Sequence, residues 1–139
     1  MAVQLADTTR NTRLDAIETD IGTAPILKLR TGAPPANCAA ADSGTVLCSM
    51  TLPSDWLSAA ASGVKDKTGA WSGTAIGGGG TIAHFRIYVG PGGTVCKMQG
   101  TCATGSGDMS LDNAVVADGQ TITVTGATGN GFRLTDGNA

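Results

Sequence analysis

The chain opens with one stretch of helical periodicity and then changes to period two. Over residues 8–21, Leu14, Ile17 and Ile21 recur at i, i+3 and i+7, a narrow apolar stripe on one helix face. Asp7 or Thr8 can cap its start, Gly22 can take the positive φ that closes a helix, and Pro25 prevents it from resuming. In ILKLR (26–30), Leu27 and Leu29 share one face while Lys28 and Arg30 share the other, as in a half-buried strand. TVLCSMTL (45–52) sets Val46, Cys48, Met50 and Leu52 against Leu47, Ser49 and Thr51, and Pro53 ends it. The strongest strand pattern is TIAHFRIYV (81–89), with Ala83, Phe85, Ile87 and Val89 expected inward and Ile82, His84, Arg86 and Tyr88 outward. GPGG (90–93) then reads as a turn and TVCKMQGTC as the return strand of a hairpin.

The remaining segments are shorter. TGAPPANCAAADSG (31–44) is a turn-rich connection, Trp56 and Leu57 read as core plugs, and residues 64–71 as a weak strand. Further strands are expected at 108–112, with Met109 and Leu111 inward, and at 121–125, with Ile122 and Val124 inward. The tail beyond Thr125 is poor in apolar residues apart from Phe132 and Leu134, and reads either as a last short strand or as an arm ordered by a neighbour. Short strands between Gly-rich turns give a mainly β chain: a single domain over 1–139, an antiparallel β-sandwich or small barrel with one peripheral N-terminal helix and a C-terminal arm at 126–139.

Composition narrows the classes of function. Charged residues make up 14% of the 139 positions, the net charge is −2 and there is no basic run, so the electrostatic footprint of a nucleic-acid binder is missing. Aromatic residues are only 4%, too few for the stacking platforms of single-strand binders. No segment approaches the roughly 20 apolar residues of a membrane span. The charged N-terminus does not fit a signal peptide, which predicts synthesis in the cytoplasm.

Candidate chemistry is weak at each place it could arise. The run Gly77, Gly78, Gly79, Gly80 leads into a strand and carries no lysine, whereas a phosphate-binding loop needs a Gly-Lys-Ser/Thr ending before a helix. His84 has no recognisable nucleophile motif to serve, and with Arg86 and Tyr88 it forms a polar strand face suited to partner contact. Asp108, Asp112 and Asp118, with Asn113, lack the order of a calcium loop. Cys38, Cys48, Cys96 and Cys102 do not have zinc-site spacing. They are expected to be reduced in the cytoplasm and, if oxidised later, to pair within each sequence-local couple, Cys38 with Cys48 and Cys96 with Cys102. Lys97, adjacent to Cys96, points to the opposite strand face and says little about its reactivity. No catalytic residue, metal or cofactor is predicted.

The ordered set LADTTRNTRLDAIETDIG, ILKLRTGAPPANCAAADSGTVL, LPSDW, HFRIY, KMQGT and GDMSLDN resembles a family of small virion proteins of tailed bacteriophages and prophages, over most of residues 2–125. The resemblance implies a non-enzymatic capsid cement or decoration protein on the capsid exterior, made in the host bacterial cytoplasm. Its implied partners are the major capsid protein and further copies of itself, with a trimer as the expected oligomer. Leu14 and Ile17 on the helix, together with His84, Arg86 and Tyr88, are the expected contact residues, with the alternative that the helix merely covers one open face of the protein's own sheet. A tail or head-tail connector component is the alternative within that class. A carbohydrate-binding β-sandwich is the alternative outside it, with Trp56, Trp71 and Tyr88 as the only candidates for a sugar platform.

Overall fold

A computed structural model describes residues 3–125 and 131–135. Among the described residues one helix, α1 (Asp7–Ile21), precedes eleven strands: β1 (Ile26–Arg30), β2 (Val46–Thr51), β3 (Val64–Asp66), β4 (Ser72–Thr74), β5 (Gly80–Thr81), β6 (His84–Tyr88), β7 (Cys96–Thr104), β8 (Met109–Leu111), β9 (Val115–Val116), β10 (Thr121–Thr123) and β11 (Arg133–Thr135). The chain is thus mainly β, as expected. A curled five-stranded sheet in the order β2-β1-β6-β7-β8 forms one layer, and three short ladders, β10–β4, β11–β3 and β5–β9, close a sandwich- or barrel-like structure with it. Pairing is antiparallel throughout except between β7 and β8, which run parallel.

Alternation carries β1 and β6 into the centre of the sheet. Leu27 pairs with Ile87 and Leu29 with Phe85, and all four side chains are buried in the apolar core. Opposite them, β4 crosses β2 so closely that a Cβ on Gly73 would fall 2.7 Å from Cys48 Sγ. The two layers meet over an aromatic chain: the Trp56 and Trp71 centroids are 6.0 Å apart, Trp71 and Phe132 5.5 Å, and Phe132 and Phe85 5.8 Å. These tilted and edge-on contacts are the preferred aromatic geometries.

Two bulges alter the expected faces. The β1–β2 register passes from Leu29 opposite Cys48 to Arg30 opposite Val46, so Leu47 is the extra residue. It is buried beside Cys48 instead of sharing a solvent face with Ser49 and Thr51. In the β6–β7 hairpin the register passes from Ile87 opposite Met98 to Tyr88 opposite Cys96, and Lys97 is left over. Its ammonium reaches Asp20 of the helix at 3.0 Å.

The helix starts one residue earlier than expected. Ala6, in an extended conformation, occupies the N-cap with no side-chain capping bond, so neither Asp7 nor Thr8 has that role. At the other end Gly22 takes φ +91° and its N–H reaches the Glu18 carbonyl. Leu14 and Ile21 are each 2% exposed, and Ile17 packs against the core. The stripe expected to face a partner is therefore turned into the domain. The polar side of the helix is tied down as well: Asn11 Oδ1 accepts from the Gly63 N–H at 2.9 Å and Asp15 Oδ1 from the Ala60 N–H at 3.0 Å. Lys65, 1% exposed, donates to Asp15 at 2.8 Å and to the Ser58 carbonyl at 2.7 Å, and pairs with Glu18 at 2.7 Å.

At the C-terminal end, β11 pairs with β3, Phe132 lies 3% exposed, and the Lys67 N–H donates to the Phe132 carbonyl. Residues 131–135 thus build a last short strand and not an arm. Residues 126–130 and 136–139 of the expected arm lie outside the described residues.

Candidate functional site

The densest polar cluster lies on the face of the large sheet opposite the aromatic core. Antiparallel register sets Arg30 beside His84 and Lys28 beside Arg86, while Gln99 and Thr101 of β7 stand opposite Arg86 and His84. Three permanent cations on one face need a counter-charge, and none of these strand positions supplies one. It comes from Asp42, in the turn-rich connection that folds back over this face.

Asp42 binds three side chains at once. One carboxylate oxygen accepts from Arg86 Nη1 and, at 2.7 Å, from the Tyr88 hydroxyl. The other accepts from Arg30 Nη2 at 2.8 Å. Arg30 Nη2 also donates to the Tyr88 oxygen at 3.2 Å, and the Lys28 ammonium stands 5.2 Å from the Tyr88 ring centroid, close enough for a cation–π attraction. Burial works to raise the Asp42 pKa, but the bonds from Tyr88 and Arg86 and the positive charge of Arg30 outweigh it and hold the carboxyl below its ordinary value. Burial and the Asp42 acceptor push the Tyr88 phenol up.

The same connection accepts from several of the remaining donors with its own backbone, while Arg30 Nε and Arg86 Nε stay buried without a hydrogen-bond partner among the described residues. Arg86 Nη2 donates to the carbonyls of Cys38 at 2.8 Å, Ala40 at 3.2 Å and Asn37 at 3.3 Å. Gln99 Nε2 donates to Pro35 O at 2.6 Å. His84 Nδ1 lies 2.7 Å from Gly32 O, and since a carbonyl only accepts, that nitrogen carries the proton. Asn37 Oδ1 in turn accepts from the N–H groups of Ala39 and Ala40 at 3.0 Å each, which fixes the turn presenting those carbonyls.

His84, Arg86 and Tyr88, expected as exposed contacts, are 0%, 1% and 3% exposed. Alternation placed them together correctly, but the connection covers their face, and their polar atoms serve the fold. Sequence reasoning missed Asp42, Gln99 and the 31–45 cover. The available signal was charge: Lys28, Arg30, His84 and Arg86 share a face with no acid among them.

The other candidates are dispersed. Among the described residues no group of three His, Cys, Asp or Glu side chains could hold a metal ion. Asp108 accepts from the Thr101 N–H and hydroxyl, Asp112 from the N–H groups of Asn113 and Thr123, and Asp118 from the Gly78 N–H. Each stabilises a separate turn or strand end. The glycine run forms a turn into β5; at Gly79, with φ +77°, a Cβ would lie 2.6 Å from the Val116 carbonyl oxygen. All five aromatic side chains, Trp56, Trp71, Tyr88, Phe85 and Phe132, are buried, so the platform expected of a sugar-binding module is not on the surface.

All four thiols are free, and the fold does not bring the sequence-local couples together. Cys96 and Cys102 lie in one strand six residues apart, about 20 Å at the usual strand rise and far beyond disulfide reach. Cys48 points into the apolar core against β4, whereas Cys38 lies in the cover on the opposite face. Burial raises the Cys48 pKa, and burial together with Asp108 pushes Cys102 up to about 12. No family model, curated protein or solved structure matches the chain.

Proposed function

We propose that the protein is a non-enzymatic structural component of a phage virion: a cement or decoration protein that binds the capsid exterior and reinforces contacts between major capsid subunits. The observation that carries this reading is where the phage-like segments fall. HFRIY is the whole of β6, KMQGT lies within β7, GDMSLDN contains β8, and LPSDW supplies the buried Leu52 and Trp56. The likeness therefore resides in the scaffold and its core, as expected for a protein whose job is to keep a shape. The polar side chains with the greatest chemical potential, Arg86, His84 and Tyr88, are occupied by the protein's own cover, which also favours a structural role.

Contact with a capsid falls to the loops and the exposed side of α1, since the Leu14 and Ile17 stripe is turned inward. Low charge suits such a surface, because neighbouring copies on a shell repel one another weakly. The test is copy number in purified particles of the phage or prophage that encodes the chain. Stoichiometry matching the capsid lattice is expected, whereas about six or twelve copies, a closed ring, would replace this reading with a tail or connector component. Complete absence from particles would overturn the virion assignment.

A further inference from the structure

We infer that Cys38 and Cys96, 58 positions apart in sequence, are a disulfide-forming pair that fastens the 31–45 cover onto strand β7. Both line one surface cavity of about 310 Å³, with Arg86 and Tyr88 at its base. Cys96 stands opposite Tyr88 in the β6–β7 register. On the other side, the Cys38 carbonyl is held 2.8 Å from Arg86 Nη2, so the backbone of the cover is fixed beside the strand that pairs with β7. Burial together with the neighbouring Cys38 thiol raises the Cys96 pKa while Arg86 opposes that rise, and the Cys96 Sγ lies 3.4 Å from the Met98 carbonyl oxygen. Both residues are partly exposed, so a small reagent can reach them. Cys48 and Cys102 are buried, and among the described residues neither has a thiol among the groups that shift its pKa.

The chemistry is thiol–disulfide exchange with a low-molecular-weight disulfide such as oxidised glutathione. One thiolate of the pair attacks a sulfur of the reagent, forming a mixed disulfide and expelling one glutathione thiolate. The second protein thiolate then attacks the protein sulfur of that mixed disulfide and expels the other glutathione. Two cysteines are oxidised, one reagent disulfide is reduced to two thiols, and the two protons lost by the cysteines pass to the leaving thiolates through solvent. The bridge would pin the turn whose carbonyls serve Arg86, whatever role the protein has in a particle.

The test uses the full chain, folded, treated with oxidised glutathione, then alkylated in denaturant to block every remaining thiol and digested with trypsin without reductant. Cleavage after Arg30, Lys65, Arg86 and Lys97 leaves Cys38 and Cys48 in peptide 31–65, Cys96 in 87–97 and Cys102 in a third peptide. The expected product is 31–65 joined to 87–97, carrying most of the Cys96 signal and disappearing on reduction. It should persist in Cys48→Ala and vanish in Cys38→Ser. Fragment spectra of the wild-type product assign the bridge to Cys38 or Cys48 even if a variant fails to fold. A Cys38–Cys48 or Cys96–Cys102 bridge, a glutathione adduct that does not close, or four alkylated thiols after treatment would each overturn the inference.

Discussion

Asp42 decides whether two arginines can lie on a covered sheet face. Arg86 is 1% and Arg30 6% exposed, and removing the partner of a buried charge is far more harmful than replacing the whole pair with apolar groups. Asp42→Ala should therefore cost about 2–3 kcal/mol in urea unfolding, below the 3–5 of a fully buried pair because the carboxylate side chain is 40% exposed. Its titration gives the pH dependence. The folded-state pKa is depressed, so the stabilisation is fully present above the ordinary carboxylate value of about 3.9 and is lost as pH falls through the lower folded-state value. Asp15, also depressed by its bond to Lys65, has the same sign. Stability should thus fall below about pH 4, and Asp42→Asn should flatten that decline without abolishing it. A decline identical in wild type and variant would show that Asp42 carries none of it.

At the scale of elements, the helix pattern left two readings open, partner contact or a cover over the protein's own sheet, and the structure takes the second. Leu14, Ile17 and Ile21 do form one face, but a narrow stripe is equally suited to an edge of the protein's own core, and periodicity does not identify the occupant. Leu14→Asp should cost about 3 kcal/mol or more by placing an unpaired carboxylate at a 2% exposed position. Circular dichroism during thermal unfolding would check it, and an unchanged midpoint would return the stripe to the surface. Strands β1 and β8 and the 84–88 part of β6 were legible because alternation holds through them, whereas Ile82, expected outward with His84, precedes β6 and lies in the core. In β2 the faces of Cys48, Ser49, Met50 and Thr51 were legible too, but that of Leu47 was not, since it is the single extra residue at the bulge against β1. The parallel β7–β8 pairing and the 31–45 cover were hidden for another reason. Turn residues show where a chain bends, but the Asp42 and backbone carbonyl bonds that fold it over Arg86 depend on partners more than forty residues away.

The whole molecule is closed by its two ends on one short strand. β3 is flanked by β11, while its Lys65 reaches into α1, so residues near both termini hold the middle of the chain. Phe132 makes this closure part of the core, because it contacts both Trp71 of the small-ladder layer and Phe85 of the large sheet. A chain ending at Thr125 would lose that ring, the β11 ladder and the acceptor for the Ser110 N–H at Gly131. If the tail were an arm awaiting a neighbour, this truncation would leave the domain intact. With the segment serving as core, it should cost at least the roughly 3–5 kcal/mol of a buried Phe→Ala change, a large part of a small domain's stability. Phe132→Ala in the full chain separates the ring from the ladder. Both chains should unfold at lower urea than wild type, the truncated one lowest, and equal midpoints for all three would show that the terminal strand does not close the core.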